Sequence, residues 1–307
     1  MTLPLSVSVL ITNYNTWPEA ERCARSAVEH SGPELDTVLI VDDCSDTTSP
    51  DDLPDPIQVM RNETNQGYVR SVNIGMAQLN SDIVILLDSD VEPLMGLVPG
   101  VREAFATNDQ LGALALHLVD REGNPTGTVS PEPTVFHYVL GQKAGSYARR
   151  WSEGDHAMDP DTMCIHSCGI VIRRAAFADI GGFDEGFDFL DADTDFSMRL
   201  RQAGWKLTKS DDLIAYHEGG GSPQSTAKRV VRHHRNRWRL LCKHNKLQHP
   251  MRVRTLLLIR LFAEYTLLRT LGTVLTRSDE ELQDKLHGRW TLLRMIGRGY
   301  TQQKNRL

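Results

Sequence analysis

The chain has 307 residues, 40% hydrophobic and 24% charged, with 34 Lys+Arg against 40 Asp+Glu and a formal net charge of −6. That composition excludes a disordered, collagen-like or fibrous chain, and the length supplies ample material for a buried core. The charge is unevenly divided: residues 1–222 hold 15 Lys+Arg against 35 Asp+Glu, a net of −20, whereas residues 223–307 hold 19 against 5, a net of +14.

In chain order, residues 6–12 (SVSVLIT) predict a strand ending at Asn13-Tyr14-Asn15, and residues 18–30 a helix. Residues 37–41 (TVLIV) predict a second, buried strand that stops at Asp42-Asp43, and residues 57–61 a short third. Residues 69–79 read as a helix, and residues 82–87 (DIVILL) as a fourth strand stopping at Asp88-Ser89-Asp90. The order strand, helix, strand, strand, helix, strand describes an α/β body with a mainly parallel central sheet. Residues 120–160 read as loops around short strands, residues 168–172 as a strand, and residues 173–180 and 195–202 as helices. Trp205 reads as core or a strand start. Beyond residue 222 the composition changes to long basic helices, which places a body at 1–222 and a helical extension at 223–307.

Asn13, Asp43 and Asp88 each lie at or just beyond the carboxyl end of a predicted strand. In an open parallel sheet that edge forms the ligand crevice. Asp88-Ser89-Asp90 sets two carboxylates on one turn, the oxygen donors that Mg2+ or Mn2+ takes beside substrate phosphates, although Asp is also common in turns. Asp42-Asp43 reads either as turn chemistry or as a carboxylate accepting from the imide N–H of a uracil or thymine ring.

Six blocks then form a pattern: VSVLITNYN, IVDDCSD, NQGYVRSVNIG, ILLDSDV, IGGFDEGFDFLDADTDFSMRLRQAGW and YHEGGGS. Their order and spacing resemble the family 2 glycosyltransferases, inverting enzymes of the GT-A fold that use nucleotide-sugar donors, and most of all a bacterial rhamnosyltransferase-like branch. The resemblance implies that Thr12, Asn13 and Asn15 line the nucleotide pocket and that Asp43 reads the base. It implies further that Asn65, Gly67 and Arg70 flank the nucleotide, that Asp88 and Ser89 lie on the donor side with Ser89 near the ribose, and that Asp90, helped by His217, holds Mg2+ or Mn2+. The family's glutamate–aspartate base motif falls on Ala192-Asp193, which makes Asp193 the candidate base. Either Asp191 substitutes for the missing carboxylate or the acceptor site is altered; in another register Asp191 or Asp195 is the base, and Asp195 otherwise suits a helix N-cap.

An inverting transfer is one in-line displacement, so it needs a base for the acceptor hydroxyl and a cation for the leaving diphosphate, and no covalent nucleophile. The expected donor is a UDP- or dTDP-sugar, and the expected acceptor a hydroxyl of a glycan or lipid-linked glycan. Two other classes compete. Ala192 in the base motif suits a non-catalytic nucleotide-sugar or glycan-binding protein. A nucleotidyltransferase also uses paired carboxylates, but Asn13-Tyr14-Asn15 stands where its Gly-rich triphosphate loop belongs.

The five cysteines are an odd set without framework spacing and read as reduced cytosolic thiols; Cys164-Ile165-His166-Ser167-Cys168 has no second ligand pair at zinc-finger spacing. His166 and Cys168 lie where an acceptor should enter, or simply on a packed strand. No charged n-region opens the chain, so no signal peptide is expected. Residues 253–275 are apolar-rich yet carry Arg254, Arg260, Glu264 and Arg269, at roughly 2.5–3.5 kcal/mol each near a bilayer centre, so an amphipathic helix is expected rather than a span. The expected location is cytoplasmic, or peripheral on the cytoplasmic face of the membrane. Eight basic residues between Lys228 and Lys246 fit a solvated face, an anionic lipid surface or, least well, nucleic acid; the apolar helix face also fits a homodimer. His233-His234 reads as a solvated helix face.

Overall fold

The structure, a computed structural model, describes residues 4–141, 159–217, 226–275 and 278–299. The chain forms two compact units, Met1–Glu132 with Met158–Gly221, and Pro133–Ala157 with Ser222–Leu307.

The first unit is built on an eight-stranded sheet. Its strands are β1 (Val7–Asn13), β2 (Thr37–Asp42), β3 (Ile57–Arg61), β4 (Ile83–Asp88), β5 (Val91–Pro93), β6 (Leu111–Val119), β9 (Gly169–Arg173) and β10 (Lys206–His217), in the order β3-β2-β1-β4-β9-β6-β10-β5. The pairs β3-β2, β2-β1, β1-β4 and β6-β10 are parallel; β9 runs antiparallel between β4 and β6, and β5 antiparallel on β10. Two short strands, β7 (Val129–Pro131) and β8 (Met163–Ile165), make a separate antiparallel ladder.

Helices α1 (Trp17–Ser31), α2 (Tyr68–Gln78), α3 (Val98–Ala106), α5 (Arg174–Asp179) and α6 (Ala192–Gln202) belong to this unit. Strand β1 is buried on both faces, which is why it reads as an unbroken apolar run. Val7, Val9 and Ile11 share a core with Ala20, Cys23 and Ala24 of α1 and with Phe105 of α3. On the opposite face α2 comes so close that a Cβ at Gly75 would stand 2.4 Å from Leu10 Cδ1 and 2.9 Å from Val41 Cγ2, so only glycine fits.

The second unit contains α4 (Val135–Leu140), α7 (Thr226–Lys243), α8 (Pro250–Leu275) and α9 (Asp279–Gly297). Tyr138, Leu241, Val253, Leu257, Leu261, Leu292 and Ile296 form its core. Helix ends are closed by side chains: Ser278 accepts from the Glu281 N–H, while Arg254 donates to the carbonyls of Ile296 and Gly297. His234 is not solvated, contrary to the sequence expectation. The Tyr138 ring packs 5.2 Å from it and the Tyr138 hydroxyl bonds its carbonyl, so His234 is 6% exposed.

Candidate active site

The carboxyl ends of β1, β2 and β4 meet at one edge of the sheet, as their polar endings require. Asn13 closes β1 opposite Asp42, and Thr12 lies between Val41 and Asp88 in the ladder. Asn13 is buried, and its amide is fully engaged: Nδ2 donates to Asp42 and Ser45, and Oδ1 accepts from the Thr16 N–H and hydroxyl. Asn13 therefore holds the turn between β1 and α1 to the turn after β2. Asn15, held at φ 59°, exchanges two hydrogen bonds with Asp46, which leaves the turn from β1 to α1 braced against the turn after β2. Thr16 Oγ1 lies 2.9 Å from Ser89 Oγ and links this turn to the end of β4.

Asp42 and Asp43 do different work. Asp42, fully buried, ion-pairs with Arg61 at 2.8 Å and accepts from Asn13 and Ser45. Asp43 folds the following loop: Oδ1 accepts from Asn62 Nδ2 (2.9 Å) and the Gln66 N–H (2.7 Å), and Oδ2 from the Gly67 N–H (2.8 Å). A carboxylate has about four acceptor positions, so one remains, on Oδ2. Gly67 precedes α2 at φ 83°, a backbone that glycine adopts without strain. Asn65 is exposed on this loop, and Arg70 on α2 pairs with Glu185 at 3.0 Å.

The Asp88-Ser89-Asp90 turn joins β4 to β5. The β5–β10 ladder sets His217 opposite Val91, which brings its Nε2 within 3.6 Å of Asp90 Oδ1. Burial pushes the Asp88 carboxyl up to about 7; Asp90 adds to the rise, the Tyr68 hydroxyl opposes it, and Asp193 adds further. Asp88 Oδ1 and Tyr68 Oη are both buried, and neither meets a partner at full hydrogen-bonding geometry among the described residues. Among the described residues no three His, Cys, Asp or Glu side chains converge as a closed metal cage. Two protein donors, one oxygen and one imidazole nitrogen, beside an orphaned buried carboxylate oxygen fit Mg2+ or Mn2+ completed by substrate oxygens.

Helix α6 carries the candidate base. It starts at Ala192, after Asp191 in the left-handed conformation at φ 65°. Asp195 is therefore not the N-cap that the sequence suggested. It is buried in the first turn and ion-paired to Arg199 at 2.7 Å, and Arg199 also holds the carbonyls of Ile180 and Gly182. Asp195 is thus committed to anchoring the turn before α6. Burial raises the Asp193 pKa; His166 opposes the rise and Asp191 adds to it. Asp193 Oδ1 accepts from the Thr194 N–H at 2.7 Å. His166 is fixed through Ser130, 3.0 Å from its Nε2. Trp205 is half-buried just before β10 and donates to Asp179.

The Asp88 carboxyl feels both Asp90 and Asp193, and Tyr68 and Cys168 feel Asp88 and Asp193. Tyr68 was not legible as a site residue: it stands at the first position of α2 in an apolar-spaced helix, and Phe189 packs edge-on to its ring at 5.2 Å. The Glu218–Ser222 part of the last sequence block lies outside the described residues.

Known proteins place this arrangement. The sequence profile of the family described as Glycosyl transferase family 2 matches residues 8–181, more than half of the chain, and that of Glycosyl transferase family group 2 matches residues 148–293. The chain is 25% identical over 200 residues to the N-acetylglucosaminyl-diphospho-decaprenol L-rhamnosyltransferase of Mycobacterium tuberculosis, which covers 59% of this chain and 65% of that protein. It is 26% identical over 162 residues to the pre-mycofactocin glycosyltransferase of the same organism, covering 53% of this chain and 32% of the relative. Among solved structures, a mannosyltransferase from Pyrobaculum calidifontis in complex with GDP-Man and Mn2+ superposes with a TM-score of 0.56 at 15% identity, over 99% of this chain and 89% of that one. GalNAc-T7 with UDP, GalNAc and Mn2+ gives a TM-score of 0.56 at 16% identity, over 78% and 48%. The fold is GT-A, and the chain belongs to glycosyl transferase family 2.

Proposed function

We propose that the acidic sheet edge transfers a hexosyl or deoxyhexosyl group from a nucleoside-diphosphate donor to a hydroxyl of a glycan or lipid-linked glycan, with inversion. One observation carries the reading: a buried carboxylate of raised proton affinity, Asp193, shares an electrostatic field with the Asp88-Ser89-Asp90 turn and its partner His217. The remaining acceptor position on Asp43 favours the imide of a UDP- or dTDP-sugar, with the Gln66 and Gly67 N–H groups on the same carboxylate.

Asp90 and His217 would hold a divalent cation, and both solved relatives were determined with Mn2+. Bound there, such an ion stabilises the charge of the departing diphosphate. Asp193 takes the proton from the acceptor hydroxyl as the hydroxyl oxygen attacks the anomeric carbon. Its raised pKa makes it a stronger base than an exposed carboxylate. His166, held by Ser130, opposes that rise. Asp191, two residues earlier, adds to the proton affinity of the same carboxylate. Ser89, tied to Thr16, fixes the turn on the donor side.

Similarity to the rhamnosyltransferase supports a lipid-linked acceptor, a role in envelope polysaccharide synthesis and a cytoplasmic or peripheral location. The division into a catalytic body at 1–222 and a basic extension at 223–307 belongs to the same proposal, with a membrane surface or a second copy as the extension's partner. A non-catalytic sugar-binding protein is the second reading, favoured by Ala192, which is 1% exposed and fills the place of the family's glutamate. A panel of UDP-, dTDP- and GDP-sugars with Mn2+ or Mg2+ separates these. Release of nucleoside diphosphate supports the transferase, nucleotide binding without turnover the binding protein, and pyrophosphate release a nucleotidyltransferase.

A further inference from the structure

The second unit leaves one long face of α8 uncovered. Leu256, Ile259, Phe262, Leu267 and Leu271 are each half exposed or more, and together they run about 22 Å along the helix. They follow helical spacing on one side, with Thr255, Thr266 and Thr270 between them. All three threonine hydroxyls bond back to the carbonyl four residues earlier, at 3.0, 2.8 and 3.0 Å. The polar positions of the stripe therefore satisfy their hydroxyl donors within the helix.

A neighbouring flank of α8 is fastened to its own unit. Arg260 donates to the carbonyls of Tyr138 and Val139 and pairs with Glu264, and Glu264 also faces Arg289 at 3.4 Å. The helix can expose its stripe but cannot leave the unit, and no helix among the described residues is long and apolar enough to cross a membrane. The rim of the stripe is aromatic and basic. Trp290 of α9 is half exposed with its ring 5.8 Å from that of Tyr265, and Arg269 reaches the Tyr265 hydroxyl. Arg252 at the start of α8, and Arg294 one turn beyond Trp290, are exposed.

We infer that this face docks on an anionic lipid surface, with the stripe in the acyl–headgroup boundary and the arginines at the phosphates. Charge decides between the occupants. Residues 223–307 carry 19 Lys+Arg against 5 Asp+Glu, so two copies meeting stripe to stripe would bring like charge to like charge, whereas an anionic bilayer complements it. An apolar face with Trp and Tyr at its edge and arginines around it is the composition of a helix that lies in the interface plane. The surface is remote from the donor site in chain and in chemistry, so the inference does not depend on the transferase reading.

The test is flotation of the full-length protein with vesicles of phosphatidylcholine alone and of phosphatidylcholine with phosphatidylglycerol, at low and high salt. Binding should require phosphatidylglycerol and weaken with salt. The double variant Ile259→Ser/Phe262→Ser, both positions exposed and so without consequence for the core, should bind about tenfold more weakly or worse. Wild type that does not float with phosphatidylglycerol vesicles overturns the inference, as does a variant that floats equally well. Sedimentation equilibrium is the companion measurement. A wild-type dimer that the double variant dissociates would assign the face to a second copy and overturn the lipid assignment.

Discussion

Asp43→Asn is the sharpest single probe of the donor pocket, because the change preserves shape and alters only what one atom offers. The amide oxygen can keep the place of Oδ1 and its two bonds, from Asn62 and the Gln66 N–H. The new NH2 then stands where Oδ2 accepted from the Gly67 N–H, donor against donor. Losing that charge-assisted bond and stranding a part-buried amide costs about 2–4 kcal/mol of stability, read as a lower urea midpoint. The same substitution turns the remaining acceptor position on Oδ2 into an N–H, which cannot receive a uracil or thymine imide proton. Donor affinity should fall about 10- to 100-fold for UDP or dTDP, and less for CDP, whose ring nitrogen accepts. Calorimetric titration with UDP and CDP, under conditions where the variant is folded, measures both. Unchanged UDP affinity, or equal losses for UDP and CDP, refutes the base-reading argument.

Three other outcomes follow from the geometry. Asp195→Ala strands Arg199 beside the Gly181-Gly182 turn and should cost about 3–5 kcal/mol in chemical denaturation; a loss under 1 kcal/mol contradicts the anchoring role. His234 is pushed down to about 3, chiefly by burial, with His233, Arg260, Arg289 and Arg237 adding. Its folded pKa lies below the unfolded value near 6.5, so the unfolded chain binds the extra proton and stability falls as pH drops from 6.5 toward 3. The loss should reach about 2 kcal/mol at pH 5 relative to pH 7, and His234→Gln should abolish it. For Asp193, transfer should rise with pH through a midpoint above the ordinary carboxylate value, because only the ionised form accepts the proton; a rate flat down to pH 4 rules out Asp193 as the base.

The parts of the site legible in the sequence are those where a buried apolar run ends in a polar residue. β1, β2 and β4 are buried on both faces, so their limits are abrupt, and Asn13, Asp43 and Asp88 fall at one edge as the pattern indicated. β6 and β5 were not legible: GALAL in β6 carries alanines rather than β-branched residues, and β5 is only three residues long. The start of α6 depends on a left-handed Asp191, a conformation that Asp adopts more readily than most residues but only rarely, so its presence does not announce it. Long-range partners are equally silent. Nothing local announces that Arg61 neutralises Asp42, that Asp195 belongs to Arg199, or that Tyr138, about a hundred residues away, buries His234.

The central claim is that one sheet edge holds a donor through Asp90 and His217 and a separate proton acceptor at Asp193. It is tested most directly by measuring donor binding and nucleoside-diphosphate release side by side for wild type, Asp90→Ala and Asp193→Asn, with Mn2+ and an acceptor present. The account predicts that Asp90→Ala loses Mn2+-dependent donor binding and release together. Asp193→Asn should bind donor as wild type does and release nucleoside diphosphate about 100- to 10,000-fold more slowly. Wild-type turnover by Asp193→Asn, or Mn2+-dependent donor binding that survives in Asp90→Ala, contradicts it.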